Sequence, residues 1–85
     1  MSEPHDNPAK NRFELVEQGQ TAFAAYKIDD ETIAFTHTIV PPALEGHGVG
    51  SRLIAFALGD ARDRRLKVRA ECSFVAAYMK RHPEA

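Results

Sequence analysis

The stretch Ile39-Val40-Pro41-Pro42-Ala43-Leu44-Glu45-Gly46-His47-Gly48-Val49-Gly50-Ser51-Arg52-Leu53 decides how this chain folds. Ahead of it, Thr32 to Val40 alternates Ile33, Phe35, His37 and Ile39 against Ala34, Thr36 and Thr38, the period-2 pattern of a strand rich in β-branched residues. Pro41-Pro42 ends that strand, because proline has no N–H to give a sheet ladder. Beyond the glycines, Val49, Leu53, Phe56, Ala57 and Ala61 recur at helical spacing, with Arg52, Asp60, Arg62, Asp63 and Arg64 supplying a polar side. Leu66, Val68 and Ala70 then alternate with Lys67, Arg69 and Glu71 as a further strand. Strand, glycine turn, helix, strand is a right-handed crossover unit, and it makes the strands it joins parallel.

Working outward, Phe13-Glu14-Leu15-Val16 and Thr21 to Ile28 are parted by Gln18-Gly19-Gln20, and Asp29-Asp30-Glu31 precedes Thr32. This predicts an antiparallel three-strand meander leading into the crossover. Residues 1–11 hold two prolines and no periodic apolar pattern, which predicts a flexible amino-terminal tail before a domain at 12–85. At the other end, Ser73 is expected to cap a short helix carrying Phe74, Val75, Tyr78 and Met79, which Pro83 helps to end. The fold class expected is α+β (α/β): a mixed sheet, a meander followed by a parallel crossover, and a short last helix.

A chain of 85 residues holds one compact core. Its formal charge of -1 gives no basis for a nucleic-acid partner, and no apolar run approaches the roughly 20 residues of a membrane span. The single cysteine cannot form an internal disulfide, and Met1-Ser2-Glu3-Pro4-His5-Asp6 lacks the apolar stretch of a secretory signal. A cytoplasmic protein is expected. His5, His47 and His82 lack metal-ligand spacing and one cysteine cannot build a structural zinc site, so no metal is expected. Arg62, Arg64, Arg65, Lys67 and Arg69 form a basic cluster near a helix C-terminus, where cations offset the helix dipole and stay solvated.

A turn from strand into helix leaves backbone N–H groups free, and glycines let an anion come close to them. The segment has no Gly-Lys-Ser/Thr ending and no complete G-x-G-x-x-G, and the chain is too short for a full dinucleotide-binding sheet. A plain flexible connector is the bland alternative. Three alternating glycines at a helix entry favour an anion site.

Gly46-His47-Gly48-Val49-Gly50 followed by Ser51-Arg52-Leu53 resembles the acetyl-CoA pyrophosphate loop of the GNAT superfamily, whose pattern is Gln/Arg-x-x-Gly-x-Gly/Ala at this junction. From Phe13 to Pro83 the chain is similar to a subfamily of short GNAT-like N-acetyltransferases, marked by His37-Thr38, Glu45-Gly46-x-Gly48, Cys72-Ser73-Phe74, Tyr78 and His82-Pro83. Glu45 departs from the superfamily pattern. The resemblance implies acetyl-CoA as cosubstrate, with Ile39, Val40, Glu45, Gly46, His47, Gly48, Val49, Gly50, Ser51 and Tyr78 around it. A carboxylate repels a pyrophosphate, so Glu45 is expected to point away and leave binding to backbone amides.

The resemblance also implies His37 and Cys72 as the catalytic pair, His37 as base and Cys72 as acid or transient acyl acceptor. Periodicity alone also reads His37, on one face with Ile33, Phe35 and Ile39, as a hydrogen-bonded core histidine, and Cys72 as a small buried group. The activity implied is acetyl transfer to a primary amine, on a small molecule or a protein lysine. The alternative is a module that binds acyl-CoA without efficient turnover. A monomer or weak homodimer is expected, with the open sheet edge or uncovered sheet face as the contact.

Overall fold

Alternation of side chains explains most of the sheet. In β2 (Arg12–Glu17) and β3 (Gln20–Asp29), Phe13 and Leu15 lie opposite Ala24 and Ala22, and all four are fully buried. β4 (Thr32–Ile39) continues the antiparallel meander, and β5 (Lys67–Ala70) joins it in parallel, with Ile33 opposite Val68 and Phe35 opposite Ala70. The computed structural model describes residues 3–83, in which β1 (His5–Asn7) through β5 form one mixed sheet in chain order.

The crossover helix α1 (Val49–Asp63) presents Val49, Leu53, Ile54, Ala57, Leu58 and Ala61 to the sheet. Phe56, expected on that stripe, is 39% exposed and reaches the core only at its edge, with its ring 6.0 Å from that of Phe13. The last helix, α2 (Ser73–Arg81), buries Val75 and Tyr78. It packs on the same sheet face as α1, since Phe74 touches Gly50 and Met79 shares a cavity with Leu58 and Val68. Ser73 is the first residue of this helix, and the capping position falls to Cys72.

The tail expected at residues 1–11 is structured where the chain is described. His5–Asn7 pair with Arg12–Glu14, and Pro8–Lys10 form a 3-10 turn; Met1 and Ser2 lie outside the described residues. Polar contacts hold this strand, which is why apolar periodicity does not reveal it. Glu14 accepts from Asn7 and pairs with Arg12 and His5 on one face. On the other, Asp6 accepts the Tyr26 hydroxyl at 2.6 Å and meets Arg64 at 3.6 Å.

One irregularity sets the orientation of everything after it. Between β3 and β4 the register runs Tyr26 opposite Phe35, then Ala25 opposite His37, so Thr36 is an extra residue. Such a bulge reverses the alternation. Beyond it, Thr38 lies opposite the buried Ala24 on the helix side, whereas His37 and Ile39 lie opposite Ala25 and Phe23 on the bare side. His37 and Ile39 therefore do not share a face with Ile33 and Phe35, as plain alternation predicts.

Candidate active site

β5 pairs with β4 only as far as Phe35 and Ala70, and the Glu71 N–H adds one last bond to the Phe35 carbonyl at 3.0 Å. β4 runs on to Ile39 while the segment after β5 turns into α2, so the strands part and leave a groove beside the end of β4. The cavity there has a volume of about 500 Å3 and is walled by Thr38, Ile39, Val40, Leu44, Glu45, Gly46, Gly48, Val49, Gly50, Ser51, Phe74 and Arg81. Leu44, on a 3-10 turn at Pro42–Leu44, is buried and ties the turn to the core.

Glycine is required at two points of this wall. Gly46 and Gly48 have φ of 83° and 73°, in the left-handed region that side chains disfavour, and a Cβ at either would face open space. Gly48 caps α1, and its carbonyl accepts the first helical bond, from the Arg52 N–H at 3.0 Å. The amides of Val49, Gly50 and Ser51 precede that bond and are the donors a helix start offers to an anion. Gly50 is small for another reason: a Cβ there would stand 2.6 Å from the Phe74 ring.

Of the residues expected around a coenzyme, Ile39, Val40, Glu45, Gly46, Gly48, Val49, Gly50 and Ser51 meet in this wall. His47 is exposed outside it, and Tyr78 is buried with its ring 4.4 Å from that of His82. Thr38, Leu44, Phe74 and Arg81 also line the wall, none of them among the residues expected around the coenzyme.

His37 and Cys72 are not brought face to face. His37 is exposed on the bare side, edge-on to Phe23 at 5.9 Å and 3.4 Å from the Thr36 hydroxyl. Cys72 is buried on the helix side, and its thiol donates to the Thr38 hydroxyl at 3.5 Å. Thr38 thus joins the groove wall to the sulfur. Burial alone pushes the Cys72 thiol up, but once the sulfur is ionised the Thr38 hydroxyl turns to donate to it, and with the backbone groups of Val75, Phe74 and Thr38 this outweighs burial and holds the thiol below its ordinary value.

Residues 12–85 match the sequence model of the GCN5-related N-acetyl-transferases. The chain belongs to that family. No curated protein matches it. Members of the GCN5-related N-acetyltransferase family catalyse acetyl transfer and typically use acetyl-CoA, and the mixed sheet with two helices accords with that membership. Among the described residues of this family member, no helix is long and apolar enough to cross a membrane.

The Thr38 contact gives a prediction. A thiol lowered on folding adds stability that is present above the unfolded thiol pKa and is lost as pH falls through the folded one. In Thr38→Val the hydroxyl is gone, so the thiolate absorbance of Cys72 is expected to titrate at higher pH than in the parent protein. An unchanged midpoint would mean that Thr38 does not set the state of the sulfur.

Proposed function

We propose that the chain transfers the acetyl group of acetyl-CoA to a primary amine, on a small molecule or a protein lysine. The observation that carries this reading is the parted end of β4 and β5, which opens onto a glycine turn at a helix start. The amides of Val49, Gly50 and Ser51 suit a diphosphate, and Ile39, Val40, Leu44 and Phe74 suit the less polar arm behind it. Backbone groups of β4 beyond Phe35 have lost their β5 partner, and an extended, amide-bearing chain can pair there as a strand would.

The thioester supplies an activated acetyl group. A neutral amine attacks its carbonyl carbon, a carbon–nitrogen bond forms as the carbon–sulfur bond breaks, and the amine gives up a proton. His37, exposed on the bare sheet face, is the base to which that proton goes. Cys72 lies on the helix side and offers a two-step variant in which its sulfur takes the acetyl group as the CoA sulfur leaves with the Cys72 proton, and the amine then displaces the Cys72 sulfur from the acetyl carbon; its lowered thiol favours this role over that of acid. The acceptor then docks on the bare face, and the protein works in the cytoplasm as a monomer or weak homodimer.

A second reading, an acyl-CoA binding module without efficient turnover, is favoured by the separation of His37 and Cys72 on opposite sheet faces. Calorimetric titration with acetyl-CoA, run beside an assay of thiol release in the presence of small amines and lysine peptides, distinguishes the two. Transfer requires both saturable binding and amine-dependent release. Binding alone selects the module, and neither result sets both readings aside.

A further inference from the structure

The groove wall contains a cation that nothing described in the fold engages. Arg81, in the last turn of α2, is exposed, lines the cavity, and makes no hydrogen bond or ion pair with the described residues. Other arginines are differently placed: Arg12 is held by Glu14, Arg64 by Asp60 and Arg69 by Glu71. Arg52, at the head of α1, meets Glu17 at 3.8 Å and is not part of the wall.

Phe74 and Arg81 lie seven residues apart, two turns along one face of α2, which puts their backbone positions about 10 Å from each other. Phe74 packs against Gly50 at the first turn of α1. Arg81 therefore enters the groove wall from the far end of α2, two turns away from the residue that meets the glycine turn. Among the described residues of the wall Arg81 is the one cation and Glu45 the one carboxylate, so an anionic ligand in the groove finds its charged partner in Arg81. A guanidinium presents a planar fork of donors that matches phosphate oxygens two at a time.

We infer that Arg81 binds a phosphoryl group of the ligand and makes the groove select phosphorylated acyl thioesters over plain ones. This rests on the acetyl-CoA reading above and adds to it the residue that reads the phosphate. The phosphoryl group can come from the diphosphate or from the ribose 3′-phosphate, and both present the same oxygens to the fork.

The test is calorimetric titration of the parent protein, Arg81→Ala and Arg81→Gln with acetyl-CoA, acetyl-3′-dephospho-CoA and S-acetylpantetheine, each variant first checked by its thermal melt. Removing a charge-assisted bond is expected to weaken acetyl-CoA binding roughly tenfold or more in both variants while leaving S-acetylpantetheine unaffected. A deficit that vanishes with the dephospho ligand assigns Arg81 to the ribose phosphate, and one that persists assigns it to the diphosphate. Unchanged acetyl-CoA affinity, or an equal loss for S-acetylpantetheine, overturns the inference while the acetyl-CoA reading stands. Failure of the parent protein to bind acetyl-CoA overturns both.

Discussion

Replacing His37 by alanine is expected to lower acetyl transfer by about 10²–10⁴-fold, the usual contribution of a positioned base. Affinity for acetyl-CoA should stay close to that of the parent protein, because His37 is not part of the groove wall. The imidazole is exposed and its described contacts are the edge of Phe23 and the Thr36 hydroxyl, so its loss leaves no buried group unpaired. Steady-state kinetics and calorimetry on the same preparation separate the two quantities. Undiminished turnover would remove His37 from the mechanism, and lost binding with a normal melt would show that it acts on the coenzyme and not on the amine.

Phe13→Ala is expected to cost about 3–5 kcal/mol of folding stability, the range for emptying an aromatic core site. Phe13 is fully buried, with its ring 5.1 Å from that of Tyr26, 6.2 Å from Phe35 and 6.0 Å from Phe56. It ties β2 to β3, to β4 and to the outer edge of α1. Domains of this kind have total stabilities of only about 5–15 kcal/mol, so the loss takes a large share of the total and lowers the melting temperature steeply. Because α1 carries the glycine turn on its first residues, coenzyme binding should fall with stability and return where added osmolyte restores the fold. Chemical denaturation measures the effect, and a loss of only about 0.5 kcal/mol, the size of a surface change, would contradict this view of the core.

The meander, the parallel crossover and both helices were legible because each obeys a simple period, and the glycine turn because Pro41-Pro42 and the start of the Val49 stripe bracket it. Two features were not. β1 is held by Glu14, Arg12 and His5 on one face and by Asp6, Tyr26 and Arg64 on the other, and paired charges leave no apolar rhythm in a three-residue strand. The bulge at Thr36 has no sequence mark of its own, yet it reverses the facing of His37, Thr38 and Ile39.

That reversal altered the site as well. Strict alternation places His37 with the core and leaves Thr38 outside, whereas the bulge gives Thr38 the place beside Cys72. Phe74 and Arg81 were hidden for a different reason: helical spacing ranks Phe74 as core and Arg81 as solvated, and only the approach of α2 to the first turn of α1 brings both to the groove. Gly50 carried a signal that could have been used, since a helical glycine is costly unless something must come close to it.

Acetyl-CoA bound in the groove between the end of β4 and the glycine turn would perturb the backbone amide resonances of that groove when isotope-labelled protein is titrated with it. Saturable shifts are expected at Gly46, Gly48, Gly50 and Ser51 together with Thr38, Ile39 and Val40, with little change at Phe23 and Lys27 on the bare sheet face. No saturable shifts, or shifts confined to the bare face, would contradict binding in this groove.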